Sequence, residues 1–383
     1  MRIAHLCLSC FYIDAFAYQE NKLAAQHVAE GHEVTIIAST ETFNEARQLD
    51  YTEPGDYLGT DGARVIRLPY RQLLPHALAK KVRSYPGVRA LLEELRPEVI
   101  VFHGLCAWEL ITVANYVRRN PGVRLHADCH EDFNNSARNL LSEWMLHRLF
   151  YRQVLNWSRS RLSSILCVST ESIDFAHRVY GIPRDRLEYF PLGGEIPSDD
   201  LYTSRRRAVR SEFGWSDSHR VFLQSGKIDH AKRLDRTLQA FARTPDPHVR
   251  LIIAGHLMPE VLAIAEPFMR SDPRVTFLDW VSPDRLQDLL CGVDVYVQPG
   301  SQSATMQMAL CCRRPVIVDD VPSHRRLITD NGVLVGSTDS LAEAIQRLSV
   351  MDASDLQEMS GRAHGVAMRF LDYRKQAQRL LEA

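Results

Sequence analysis

The chain has 383 residues, enough for two cores, because domains of about 100–200 residues are the usual unit. Hydrophobic residues make up 45% and charged ones 24%, a globular balance that excludes a disordered or fibrous chain. With 46 basic residues against 47 acidic ones the net charge is −1, so no global field attracts nucleic acid, and no apolar run reaches the ~20 residues of a membrane span.

Short β-branched runs alternate with helix-length amphipathic stretches from the start, the pattern of a parallel sheet with helical crossovers. The first strand is expected at 2–8, an apolar run too short for a secretory signal, so a cytoplasmic chain is expected. A helix over 18–29 follows, closed by Gly31-His32, where glycine takes the left-handed conformation. Further strands are expected at 33–38, 64–68, 99–102, 124–128, 164–168 and 187–190, with helices over 108–120 and from about 140 to 159. Pro191-Leu192-Gly193-Gly194 combines one rigid and two permissive residues, as a hinge requires. The stretch 198–218 is polar, and its Arg205, Arg206, Arg207 and Arg210 read as a solvated linker face. A second series follows at 221–224, 249–254, 275–278, 293–297, 316–318 and 333–335. The fold class is therefore α/β: two doubly wound, Rossmann-like parallel-sheet domains facing across a cleft, spanning 1–192 and 193–362. The segment 363–383 is expected to be a helix that packs back on the first domain.

In open parallel sheets ligands bind beyond the carboxyl ends of the strands, so residues directly after strands carry the functional information. After 221–224 comes Ser225-Gly226-Lys227, then Lys232 five residues on, a turn whose glycine admits a ligand to the backbone and whose lysines suit a diphosphate. After 293–297 come Gly300, Ser301, Gln302, Ser303, Ala304 and Thr305, small and hydroxylic residues opening a helix whose free N–H groups suit a phosphate. On the first domain the strand-end loops offer Glu20, His103, Asp132 and Asn135 for an acceptor. His126, Asp128, His130 and Asp132 alternate, which also suits a metal; sugar binding ranks above it, because lysines and helix dipoles can neutralise a diphosphate. Cys7-x-x-Cys10 and Cys311-Cys312 lack a second ligand pair nearby and read as packing cysteines. Arg71, His76, Lys80, Lys81 and Arg83 interleave with Leu73, Leu74, Leu78 and Val82, a candidate for peripheral membrane contact beside the commoner reading of a half-buried surface helix.

At these residues the chain resembles the retaining glycosyltransferases of the GT-B fold, family 4 (glycosyl transferases group 1), over nearly its whole length. Tyr18-Gln19-Glu20-Asn21 with Gly31-His32-Glu33-Val34-Thr35 is similar to that family's first crossover, and Phe190-Pro191-Leu192-Gly193-Gly194 to its domain-closing segment. Ser225-Gly226-Lys227 with Lys232 is similar to its diphosphate clamp, Lys227 standing where the family has arginine. Ala254-Gly255-His256, Asp279-Trp280-Val281 and Asn331-Gly332-Val333 match in order. The resemblance implies that Lys227 and Lys232 hold the diphosphate of a nucleotide sugar, that backbone near Val281 receives the base, and that His130 lies near the donor sugar. It further implies transfer with retention to a glycan, lipid-linked or small-molecule acceptor, without metal or cofactor. One departure is visible: the family's glutamate pair before Pro315-Val316-Ile317 is absent, Met308 with Gln307 beside it taking the second place and Gln302 falling near the first. Two alternatives remain open, a sugar-nucleotide epimerase using His130, Glu131 and Asp132, and an inactive subunit supporting an active partner.

Overall fold

The computed structural model describes residues 1–44, 48–73, 75–300 and 303–382. They form two compact units, Met1–Pro191 with Tyr373–Ala383, and Leu192–Asp372. The last helix, Tyr373–Glu382, thus belongs to the first unit: its Ala377 and Leu380 are buried in one cluster with Leu23 and Ala24 of the helix Gln19–Ala29.

Unit 1 carries the strands β1 (Arg2–Cys7), β2 (Glu33–Ser39), β3 (Glu41–Phe43), β4 (Leu49–Tyr51), β5 (Gly55–Leu58), β6 (Arg64–Leu68), β7 (Val99–Phe102), β8 (Arg124–Cys129), β9 (Ser164–Cys167) and β10 (Leu187–Tyr189). Eight of them make one sheet in the order β10-β9-β8-β7-β1-β2-β6-β5, parallel except for the β5–β6 pair. Its central strands are covered on both faces, which is why β7 reads Val-Ile-Val-Phe without alternation. The short strands β3, β4 and β5 are absent from the expected series. β4 and β5 are solvent-exposed throughout and carry no apolar run, so only their pairing reveals them.

Unit 2 carries β11 (Arg220–Ser225), β12 (Val249–Ala254), β13 (Val275–Leu278), β14 (Val295–Gln298), β15 (Val316–Asp319) and β16 (Gly332–Val335), all parallel, in the order β13-β12-β11-β14-β15-β16. The strand order reverses between β1 and β7 in unit 1 and between β11 and β14 in unit 2. Those two switch points are where such sheets open a crevice.

The stretch around Arg205–Arg207 is no solvated linker. It is the helix Asp199–Glu212, capped by Ser198, whose hydroxyl accepts from the Leu201 N–H. Arg206 and Arg210 turn inward: both guanidinia reach the buried Asp294, and Arg206 also donates to the carbonyls of Cys291, Gly292 and Val293. Burial opposes the Asp294 charge, but the two arginines and the Val221 N–H hold its carboxyl below the usual range. A polar sequence hides this packing because its anchors are charges rather than hydrocarbons.

Candidate functional site

In unit 2 the switch point is built from glycine. Gly226 follows β11 at φ +125° and Gly255 follows β12 at φ +135°; a Cβ on Gly255 would lie 2.0 Å from the Gly226 carbonyl oxygen. The turns can approach only because Gly255 carries no side chain, while at Gly226 it is the positive φ that favours glycine. Gly255 in turn donates to the carbonyl of Leu278 at 3.0 Å, so the ends of β11, β12 and β13 lie side by side, and Val281 follows three residues beyond. Across the switch, a Cβ on Gly300 would lie 2.2 Å from the Ala231 carbonyl oxygen and 3.1 Å from the Lys232 carbonyl carbon. The lysine turn and the loop after β14 are therefore in contact.

That contact sets the backbone at Lys232 against the loop that precedes the helix Ala304–Cys311, whose cap Ser303 accepts from the Thr305 N–H at 3.2 Å. The Lys232 carbonyl is held by the Gln224 side chain at 2.8 Å. Burial pulls the Lys232 amine down to about 8, with only Asp229 opposing. Lys227, by contrast, is exposed, so the two lysines are unequal where the sequence makes them look alike. Under the turn lies a pair that the sequence did not single out, the Tyr296 hydroxyl donating to Gln298 Oε1 at 2.5 Å; the Ser225 hydroxyl is buried without a hydrogen-bond partner among the described residues. Ala304 is exposed and Thr305 buried at the start of that helix. Ser301 and Gln302 lie outside the described residues.

Gln307 is already held within the fold. Its Oε1 accepts from the Gly193 N–H at 3.0 Å, tying the helix to the Pro191–Gly194 turn, where Gly193 sits at φ +76°. We expect Gln307→Ala to cost about 1–2 kcal/mol in urea unfolding, the penalty of one buried unpaired N–H, while leaving the affinity for any nucleotide unchanged.

In unit 1 the switch point holds a buried chain of imidazoles. His27 Nε2 lies 3.0 Å from the Ala377 carbonyl oxygen, His5 bridges His27 and His103 at 3.0 Å on either side, and His103 Nδ1 lies 2.5 Å from Asp128 Oδ2. A carbonyl can only accept, so His27 donates from Nε2 and offers Nδ1 as acceptor. His5 must then donate from Nε2, and its Nδ1 accepts from His103 Nε2. His103 also donates from Nδ1 to the carboxylate, which makes it an imidazolium. The electrostatics agree: burial depresses His5 and His27, whereas at His103 burial is outweighed by Asp128, which lifts it to about 9. Asp128 also accepts from the Gly104 N–H at 2.6 Å and reaches His130 Nε2 at 3.3 Å. Against burial, His103 and His130 hold its carboxyl far below the usual range, and His130 is lifted to about 9 by the same pairing.

His130, His103 and Glu20 are thus brought to one place; burial raises Glu20, and the charges of His103 and His130 pull it back. Asp132 and Asn135 are near but otherwise employed. Asp132 Oδ1 accepts from the N–H groups of Asn134 and Asn135, and Asn135 donates to the His130 carbonyl at 2.7 Å, so both brace the loop that carries His130. His126 bonds Ser164 instead, and among the described residues no three His, Cys, Asp or Glu side chains converge on a metal position. A hollow of about 540 Å3 opens beside His130, lined by Lys80, Lys81, Arg83, Glu131, Arg138 and Tyr151 among others. In the sequence Lys80, Lys81 and Arg83 stand out only as a candidate membrane face and Glu131 only in the epimerase alternative, while Arg138 and Tyr151 do not stand out, because residues on separate segments give no local motif. Leu74 of that candidate face lies outside the described residues. Arg83 donates to the Ser9 hydroxyl at 3.0 Å, and Gly104 at φ +90° leaves the room that Ser9 needs.

A family model described as Glycosyl transferase 4-like domain matches residues 19–193, and one described as Glycosyl transferases group 1 matches residues 219–350. No curated protein matches the chain in sequence. Among solved structures, the Anabaena protein Alr3699/HepE in complex with UDP is similar at a TM-score of 0.68 and 16% identity, covering 100% of this chain and 99% of that one. Sucrose-phosphate synthase from Thermosynechococcus elongatus is similar at 0.69 and 16%, covering 99% and 97%. WaaG, a glycosyltransferase involved in lipopolysaccharide biosynthesis, is similar at 0.64 and 16%, covering 100% of both chains. At such identities these likenesses speak for the fold.

Proposed function

Because this chain belongs to the group 1 glycosyltransferases of the GT-B fold, family 4, we propose that unit 2 binds a nucleotide-diphosphate sugar and that the sugar passes to an acceptor hydroxyl held by unit 1. The observation that carries the donor half is the seating of the Lys232 turn against Gly300 in the loop before the helix Ala304–Cys311, which suits a diphosphate held by a half-buried ammonium and a helix N-terminus. UDP in the complex of the similar Anabaena structure supports the same reading.

In the proposed reaction the bond from the anomeric carbon to the diphosphate oxygen breaks, and its electron pair leaves with the diphosphate. The acceptor hydroxyl attacks from the same face, its proton passes to that departing oxygen, and configuration is retained. Lys232, aided by the exposed Lys227, stabilises the leaving charge, so the reaction as proposed needs no metal. His130, held by Asp128, donates a hydrogen bond to the sugar from its remaining N–H. With Met308 at the place of the family's second glutamate, no carboxylate there stabilises the developing cation. Slow turnover beside ordinary donor affinity is therefore expected.

Isothermal titration with UDP-, GDP- and dTDP-sugars tests the proposal. One base class should bind and release its sugar to an acceptor; heat from none of them overturns it. Appearance of a new sugar nucleotide without acceptor would instead mark an epimerase.

A further inference from the structure

The reaction as proposed uses neither His5 nor His27, yet both are fully buried in unit 1. His27 lies on the helix Gln19–Ala29 and His5 on β1, and the other buried residues of those elements include Ile3, Leu23 and Ala24 of one apolar cluster. Two imidazoles in such surroundings are costly unless their hydrogen bonds are complete. With His103, directly after β7, and Asp128, on β8, they form one row whose four side chains are each 2% exposed or less.

Counting hydrogens gives the row a fixed charge. At one end stands the Ala377 carbonyl and at the other the Asp128 carboxylate, two acceptors, and the four contacts between them measure 3.0, 3.0, 3.0 and 2.5 Å. Each contact needs one hydrogen, since two lone pairs facing one another at that distance repel. Three neutral imidazoles bring three hydrogens. The fourth contact requires one more, and this extra proton rests beside Asp128, where a carboxylate balances it.

The count depends on the end of the row farthest from His130. Without the His27 ring, His5 Nε2 has no acceptor to serve. His5 then donates from Nδ1 to His103 Nε2, and His103 from Nδ1 to Asp128, so two neutral rings fill the two contacts that are left. The extra proton is gone although His103, Asp128 and His130 are untouched.

That proton bears on His130 through Asp128. Asp128 Oδ2 faces His103, while Oδ1 accepts from the Gly104 N–H at 2.6 Å and faces His130 Nε2 at 3.3 Å. A carboxylate already balanced by His103 holds the His130 proton less firmly than a free one, and the His103 charge repels it. Burial opposes charge on every ring of the row; against it, Asp128, Cys7 and Glu20 favour the charge on His103, and at the far end Glu30 favours and His32 opposes one on His27. Around His130, where burial again opposes charge, Glu20 and Glu131 add to Asp128.

We propose that His27 and His5 are positioning residues for the sugar-transfer site: through the row they keep a positive charge on His103, which fixes Asp128 as an acceptor and sets the acidity with which His130 faces the donor sugar. The part played at the sugar rests on the proposed function; the charge of the row does not.

Two substitutions at one position separate charge from packing. Glutamine offers a donor and an acceptor, as the ring does, and leucine offers neither. In imidazole resonances of the full chain at pH 8, the wild type and His27→Gln should show two charged rings, His103 and His130, and His27→Leu only His130. In His27→Leu the midpoint of the His130 titration should rise by about one pH unit, because one buried positive charge has been removed, and the alkaline limb of sugar transfer should rise with it. His5→Leu, which cuts the row next to His103, should act as His27→Leu does and gives the same reading should that variant not fold. A His103 that stays charged in both leucine variants, or one that loses its charge in His27→Gln as well, overturns the proposal. So does an unmoved His130 midpoint in a leucine variant whose His103 has become neutral. Sugar transfer that is absent from the wild type, with both rings charged and the midpoint shift present, overturns the proposed function and leaves the row's control of His130 standing.

Discussion

Replacing Lys232 by alanine should weaken nucleotide-diphosphate binding by roughly 30- to 150-fold, about 2–3 kcal/mol, whereas Lys227→Ala should cost only several-fold. The difference follows from burial. The Lys232 amine is partly withdrawn from water, on the turn whose backbone meets the loop after β14, so its attraction to an anion is poorly screened; the Lys227 side chain is exposed. The same burial sets a pH dependence. In the empty protein the amine is pulled down to about 8, and a bound diphosphate favours the charged form and raises it. Affinity should therefore be level below about pH 7 and fall as pH rises through 8, with one proton taken up per nucleotide bound in that range. Calorimetry of UDP and GDP in buffers of different ionisation enthalpy measures both. Equal losses for the two lysines, or an affinity flat from pH 7 to 9, would overturn the assignment.

Asp128→Ala should destabilise unit 1 by about 3–5 kcal/mol at pH 7, because it leaves a buried imidazolium and the Gly104 N–H without their acceptor. The pH dependence carries the diagnostic sign. His103 and His130 are raised to about 9 in the folded protein against ~6.5 in an unfolded chain, so their contribution is complete below about pH 6.5 and is lost as pH rises through 9. Urea unfolding of the wild type should show that decline, and the variant should lack it. Imidazole resonances give an independent reading: the wild type should keep two histidines protonated at pH 8, and the variant should not. A variant that unfolds like the wild type at both ends of the range would mean that the imidazole chain carries no charge.

The two switch points explain how the same sheet topology yields two different sites. In unit 2 Gly255 lets the turns after β11 and β12 close on one another, and the half-buried Lys232 is the charge on which the proposed donor site rests. In unit 1 the crevice is filled by side chains, and charge is stored on His103 and Asp128 below a basic hollow. The Ala377 carbonyl at the far end of the imidazole chain belongs to the last helix, so the protonation pattern beneath His130 depends on the seating of the C-terminal segment.

The sequence by itself determined the α/β class, the family and most strands, because buried parallel strands such as Val99–Phe102 are continuous β-branched or aromatic runs that nothing else explains. It also singled out the segments after β11 and β14 that carry Gly226, Lys232 and Gly300, which the fold then brings into contact, since local order along the chain is what a motif records. Tertiary structure alone decided what depends on distant partners. It turned Arg206 and Arg210 from an apparent linker into the ion cluster around Asp294, and it gave Gln307 the Gly193 N–H as a partner. It also joined His5, His27, His103 and Asp128, which lie on four different elements, into one hydrogen-bonded chain. A charge or a hydrogen-bonding group takes its role from whichever partner the fold sets within about 3 Å, and sequence spacing holds no record of that neighbour.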